Sequence, residues 1–220
     1  MRDAVGGYKK VLSDISFDIK SGERVLLQGK NGTGKTTLAQ SIAGNPDYLI
    51  SGHIEIDGRN ISDENATSRS LAGLFLGAQN VPEIPGLSVM SFLRHSLSSH
   101  HQFETGKQLG AGEFFQRLKI AREKIDIPES WLSRSINVGF SGGERKRLMF
   151  LRLLLINPKI AILDEPDSGA DVDSRQLFSE LIKRQSEIGT GFLIISHQSD
   201  FAEMLEPDKT LILNEGRIVI

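Results

Sequence analysis

Three short stretches of this chain carry residue types whose spacing could do chemistry on a phosphate. The first is Gly29-Lys-Asn-Gly-Thr-Gly-Lys35-Thr36. It fits the pattern G-x-x-x-x-G-K-[ST], in which a glycine-rich turn lets backbone N–H groups curl round an anion. A helix starting at the end of that turn adds about half a positive charge at its N-terminus. In that arrangement the Lys35 ammonium reaches the β- and γ-phosphates of a nucleoside triphosphate, and the Thr36 hydroxyl helps to hold Mg²⁺. The second stretch is Ile160-Ala-Ile-Leu-Asp164-Glu165-Pro166. An apolar strand here delivers two carboxylates at its C-terminal end, the edge at which open α/β sheets bind ligands. Neighbours in a strand point to opposite faces, so the two acids have different work. Asp164 can hold Mg²⁺ through water, and Glu165 is placed to polarise an attacking water as general base. Pro166 is expected to hold Glu165 in an extended backbone. The third stretch is Phe140-Ser141-Gly142-Gly143-Glu144, directly before a helical pattern. A serine and two glycines at a helix start can cradle a second anion. A plain N-cap is the other reading of Ser141.

These residues need strands and helices to position them. Val25–Leu27, Ile160–Leu163 and Phe192–Ile195 are apolar on both faces, and a helical pattern follows each: Lys35–Ala43, Ser174–Ile188 and Ser199–Leu205. That alternation predicts a parallel sheet covered on both sides, an α/β protein. Leu177, Phe178, Leu181 and Ile182 form one apolar stripe, with Asp171 or Asp173 to cap the helix and Gly189 to end it. Val11–Ile19 alternates as a half-buried antiparallel strand, and His53–Asp57 alternates and turns at Asp57-Gly58. Between about Val81 and Ile156 the pattern becomes helical, over Phe92–Leu97, Phe114–Ile125 and Arg145–Ile156. The polar, Gly-containing Ser98–Gly112 is expected to be an exposed loop.

Composition narrows the class further. With 220 residues the chain suits one domain or one domain with a sub-lobe. It has no cysteine, so it holds no disulfide and offers no thiolate to an iron–sulfur cluster or a zinc ion. A formal charge of −2 gives no bulk attraction to nucleic acid. The opening MRDAVGGYKK lacks the apolar stretch of a secretory signal, and Leu153–Ile156 is too short to span a bilayer. The expectation is a cytoplasmic protein, not itself inserted in a membrane, that a partner could still hold there. His95, His100 and His101 are close in sequence, but a solvated helix end explains them better than a metal site does.

The order Gly29–Thr36, Gln79, Ser141–Glu144, Asp164-Glu165, Ser168–Asp171 and His197 resembles the ABC ATPase set: Walker A, Q-loop, signature, Walker B, D-loop and H-loop. The resemblance covers nearly the whole chain. It implies a P-loop NTPase with a RecA-like core, an antiparallel β sub-lobe and a helical sub-lobe. The core and β sub-lobe would take 1–78 and 157–220 of a single domain 1–220, and the helical sub-lobe 79–156. It also implies ATP and Mg²⁺ as ligands. Gly29, Asn31, Gly32, Thr33, Gly34, Lys35, Thr36 and Thr37 would hold the nucleotide, and Thr36, Gln79 and Asp164 the metal. Glu165, Gln79 and His197 would act in catalysis, His197 on the γ-phosphate. Two chains would meet head to tail with ATP between them, so that Ser141, Gly142 and Gly143 face the γ-phosphate bound by the other copy.

Within that family the chain is similar to the SufC group, the soluble ATPases of SUF iron–sulfur assembly. Ala43-Gly-Asn-Pro-Asp-Tyr48, Pro82-Glu-Ile-Pro-Gly86, Val138–Arg147 and Asp167-Ser-Gly-Ala-Asp-Val-Asp173 carry this narrower resemblance. It implies a subunit that drives conformational change in a scaffold of SufB- and SufD-like proteins, docking through Val81–Leu93. The alternative is the ATPase subunit of an ABC transporter. Three features depart from the pattern: Pro166 where threonine is usual, little chain before Val11, and no tail after Ile220. Tyr8 could stack on adenine.

Overall fold

A short segment that is apolar on both faces is satisfied inside a sheet covered on both sides, and four such segments build this one. The architecture is that of a computed structural model, which describes residues 10–219. Its elements are β1 (Arg24–Gln28), α1 (Lys35–Ile42), β2 (Glu55–Ile56), β3 (Arg59–Asn60), α2 (Ala66–Leu71), β4 (Leu74–Gly77), α3 (Val89–Thr105), α4 (Ala111–Ile125), α5 (Gly142–Ile156), β5 (Ile160–Asp164), α6 (Val172–Glu187), β6 (Gly191–Ile195), α7 (Ser199–Leu205), β7 (Lys209–Asn214) and β8 (Arg217–Val219). The chain divides into two compact units. Among the described residues one comprises 10–79, Pro158–Ser168 and 179–219, the other Asn80–Asn157 and Gly169–Phe178.

The first unit holds a six-stranded sheet in the order β4-β5-β6-β1-β7-β8. All pairings are parallel except the antiparallel β7–β8 hairpin. The central strands are buried along their middles: Val25, Leu27, Ala161, Leu163 and Phe192–Ile195 expose nothing to solvent. β7 lies next to an edge and alternates, Leu211 and Leu213 inward, Thr210 and Ile212 outward. Leu38 and Ala39 of α1 close the core over one face, joined by Ile56 and Ile61 from the β2–β3 hairpin. That hairpin turns at Asp57-Gly58, both with positive φ (49° and 78°), the geometry of a type I′ turn.

The predicted strand at Val11–Ile19 is not one among the described residues. Its alternation is real, since Leu12, Ile15, Phe17 and Ile19 pack against the core. A strand also needs a hydrogen-bonded ladder, and the described residues supply only isolated contacts such as Ser13 N–H to the Gly216 carbonyl at 2.9 Å. Tyr8 lies outside the described residues.

In the second unit α5 packs against both α3 and α4. Val89, Leu93, Leu97 and His100 form the buried stripe of α3, and Phe114, Leu118, Ala121 and Ile125 that of α4. Most of the expected loop Ser98–Gly112 is therefore helix, with only Gly106–Gly110 between α3 and α4. One buried residue per turn is enough to dock a helix, and the polar letters of 98–105 cover its wet face. Phe150 stacks on Phe178 with ring centroids 4.5 Å apart.

Candidate active site

The site begins where β1 stops. Gly29–Gly34 links β1 to α1, and at Gly29 (φ 154°) an added Cβ would lie 2.3 Å from the Leu213 carbonyl oxygen. No side chain fits there, so the loop can lie close against the end of β7 only through glycine. Gly34 is the N-cap of α1 and provides no side-chain cap, which leaves the first-turn N–H groups of the helix for a ligand or solvent. Lys35 is buried, and its ammonium donates to the carbonyls of Gly29 (2.8 Å) and Lys30 (3.0 Å). Burial lowers its pKa, while the carboxylates of Glu165 and Asp164 pull it back up. A lysine held across its own loop is a fixed positive point beside a helix N-terminus, as an anion site requires.

The opposite wall comes from the ends of neighbouring strands. β5 delivers Asp164, 1% exposed, and then Glu165. Glu165 is not extended as expected. Its φ is +51°, and its N–H donates to the Ile195 carbonyl at 2.9 Å. Pro166 disfavours the right-handed helical region for Glu165, but the cross-strand hydrogen bond to the Ile195 carbonyl, rather than the proline, holds it left-handed instead of extended. The turn swings the carboxylate out to the cleft. Gln79, two residues beyond β4, donates its amide N–H to Glu165 Oε2 at 2.6 Å, and His197 Nε2 lies 3.7 Å from Glu165 Oε1. His197 is held by its flank: Ser196 donates to Asp167 Oδ2 at 2.7 Å and accepts from Gln198 N–H at 3.1 Å.

An open cleft of about 730 Å³ connects these groups. That size lies within the usual range for small-molecule sites. Asn31–Thr37, Gln79, Glu165 and His197 line it. Lys10, Val11, Glu215 and Gly216 line it too, and the sequence reading missed them; the Asn214-Glu-Gly216 turn between two alternating segments was the available signal. Gly29, at the root of the loop, and Asp164, buried at the end of β5, are not among the lining residues. Ser141, Gly142 and Gly143 belong to the other unit. There Ser141 closes a capping box on α5: its hydroxyl accepts from Glu144 N–H (3.2 Å) and the Glu144 carboxylate accepts from Ser141 N–H (2.8 Å). Gly142 and Gly143 form the first turn of that helix, and an added Cβ on either would meet nothing within 4 Å. His95, His100 and His101 form no metal cluster, and no group of three His, Cys, Asp or Glu residues that could hold a metal exists among the described residues.

The sequence and the fold match those of known proteins. The ABC transporter family profile matches residues 12–168. The iron–sulfur cluster assembly protein SufC of Plasmodium berghei is 38% identical over 98% of the chain, which spans 59% of that relative's length. A Streptococcus pyogenes relative named "Probable ABC transporter ATP-binding protein" is 36% identical over 96% of the chain and 82% of its own length. Among solved structures, an ATP-binding subunit of an ABC transporter superposes with a TM-score of 0.80 at 27% identity, over 94% of this chain and 81% of that one. With its phosphate loop, strand-end acids and matching profile, the chain belongs to the ABC ATPase family and is similar to SufC within it.

Proposed function

We propose that this chain is an ATP-hydrolysing subunit of SufC type, which turns ATP and water into ADP and phosphate to drive conformational change in a soluble scaffold. The observation that carries the chemistry is the grip on Glu165: Gln79 at 2.6 Å on one carboxylate oxygen and His197 at 3.7 Å from the other, in the same cleft as Lys35. ATP lies with its β- and γ-phosphates on the N–H groups of Gly29–Lys35 and at the start of α1. Lys35 balances their charge, with Asn31, Thr33 and Thr37 lining the same loop. The residues present fit Mg²⁺ as well, because this ion usually needs one or two protein oxygens plus substrate phosphates rather than a full protein cage. Thr36 and Asp164 would hold it, with Gln79 beside them, and when bound it supplies charge neutralisation at the β- and γ-oxygens. Glu165 takes a proton from the attacking water as that oxygen bonds to the γ-phosphorus. The bond from phosphorus to the bridging oxygen breaks, and Lys35 stabilises the charge left on ADP. Gln79 keeps the carboxylate aimed, and His197 contacts the γ-phosphate.

Ser141, Gly142 and Gly143 act in a second copy. Their helix start meets the γ-phosphate bound by the first chain, so turnover needs an ATP-dependent head-to-tail dimer. The partners are SufB/SufD-like proteins in the cytoplasm, with no nucleic acid and no direct membrane insertion. No helix among the described residues is long and apolar enough to cross a membrane. Ile84, 40% exposed on the segment Val81–Leu93, offers an apolar anchor for the scaffold. Changing Ile84 to Glu should abolish scaffold binding in pull-downs while ATP affinity stays within about twofold of the parent chain, since a buried charge at an anchor is costly. Unimpaired scaffold capture would refute the docking site. The second reading, a transporter ATPase, is favoured by the name of the Streptococcus relative. Recovery of an integral membrane permease instead of a soluble, cysteine-bearing scaffold would replace the first reading with it.

A further inference from the structure

The strand order separates the two ends of the cleft. Gln79, Glu165 and His197 follow β4, β5 and β6, which all lie on one side of β1. β7 lies on the other side, and the turn after it brings Glu215 and Gly216 into the cleft wall, with Lys10 and Val11 beside them. If the reacting phosphate faces the first group, the nucleoside extends toward the second. The phosphate loop is fastened to that side too, with Gly29 against the Leu213 carbonyl and Gly34 against Leu12.

The β7–β8 turn is rigidly set. Glu215 (φ 47°) and Gly216 (φ 75°) are its central residues, and Asn214 pairs with Arg217 across it. A Cβ on Gly216 would lie 2.3 Å from the Val11 carbonyl oxygen, and the Gly216 carbonyl accepts from Ser13 N–H at 2.9 Å. Turn chemistry of this kind prefers Asn, Asp or Gly at the first central position. Glutamate gives up that preference and gains a longer carboxylate on a fixed stem at the cleft wall.

We propose that Glu215 selects the nucleotide by accepting a hydrogen bond from the exocyclic amino group of its base. A carboxylate has only acceptors to offer, and the adenine N6 amino group is a donor on an open edge of the base. Glu215 is exposed at the rim of the cleft, so its discrimination comes from the charge-assisted hydrogen bond itself, which an analogue without the donor loses. The proposal rests on the ATP-binding reading above and adds to it a specificity residue outside the phosphate loop.

The test is a two-by-two comparison of the full-length chain and Glu215→Gly against ATP and purine riboside 5′-triphosphate, which differ only in the N6 amino group. Calorimetry gives the four dissociation constants. Glycine suits the positive φ, so the turn is retained. Glu215→Asn, which also tolerates that backbone but is one methylene shorter and uncharged, serves as a second variant if the first fails to fold. The parent chain should prefer ATP by about tenfold or more, and either variant should narrow that preference to within about twofold. The same preference in parent and variants, or no preference in the parent, overturns the role of Glu215. Tight binding of both triphosphates with no base preference refutes Glu215 alone, whereas failure to bind either one refutes the nucleotide reading itself.

Discussion

Replacing Glu165 with glutamine isolates the proton-accepting step from everything else in the cleft. The two side chains have the same length and nearly the same shape. In the structure Glu165 Oε2 accepts the Gln79 amide at 2.6 Å, and the carboxamide oxygen of a glutamine can accept the same bond. The backbone at position 165, with φ 51° and its N–H on the Ile195 carbonyl, places no new demand on the side chain. Geometry should therefore survive while basicity is lost. A positioned general base contributes about 10²–10⁴ in rate, which at about 1.36 kcal/mol per decade is a barrier increase of roughly 2.7–5.4 kcal/mol. ATP affinity should stay level or tighten, because one negative charge has gone from beside the phosphates and Lys35 still faces them. The assay is phosphate release at saturating MgATP, paired with calorimetric titration of the same sample. A variant with intact ATP binding and a kcat within about threefold of the parent would show that the proton goes elsewhere. With turnover blocked, the ATP-bound dimer should also accumulate in light scattering.

Lys35→Ala removes a buried ammonium from the phosphate loop, and a charge-assisted contact is worth about 1.5–3 kcal/mol. ATP affinity by calorimetry should fall at least about tenfold, and an unchanged affinity would sink the phosphate-loop assignment. Ser141→Arg should leave ATP binding by a single chain intact, abolish ATP-driven dimerisation in light scattering and, by losing the capping box on α5, cost about 1 kcal/mol of stability. Loss of ATP binding in that monomer would refute the two-chain site. The hydrogen bond from Arg24 holds the Asp208 carboxyl below its ordinary pKa. Its stabilisation is complete above the unfolded value near 3.9 and lost as pH falls through the lower folded value. Asp208→Asn should therefore cost under about 1 kcal/mol at pH 7, on this partly exposed pair, and less at pH 2. Denaturant melts at the two pH values check this, and an equal cost at both would refute the linkage.

The sequence alone determined what depends on near neighbours. Gly29–Thr36 could be read because an anion-binding turn is built within eight residues, and Ile160–Glu165 because a doubly buried strand must be apolar throughout and end at a polar edge. The fold class followed from the same runs, since segments apolar on both faces leave only a covered parallel sheet. Asp57-Gly58 was legible as a turn because its two positive φ angles are a local demand. Readings failed where a distant partner decides the outcome. Val11–Ile19 has the alternation of a strand, but pairing belongs to two segments and cannot be read in one. The polar letters of 98–105 read as loop, yet Leu97 and His100 dock that turn in the interior of the second unit. Glu165 turned left-handed because the Ile195 carbonyl, delivered by another strand, holds its N–H. Only the tertiary structure decided that Gln79, Glu165 and His197, spread over more than a hundred residues, meet at adjacent strand ends. It alone brought Glu215 to the cleft, because strand order sets which chain ends become neighbours, and order is a property of the whole sheet rather than of any stretch within it.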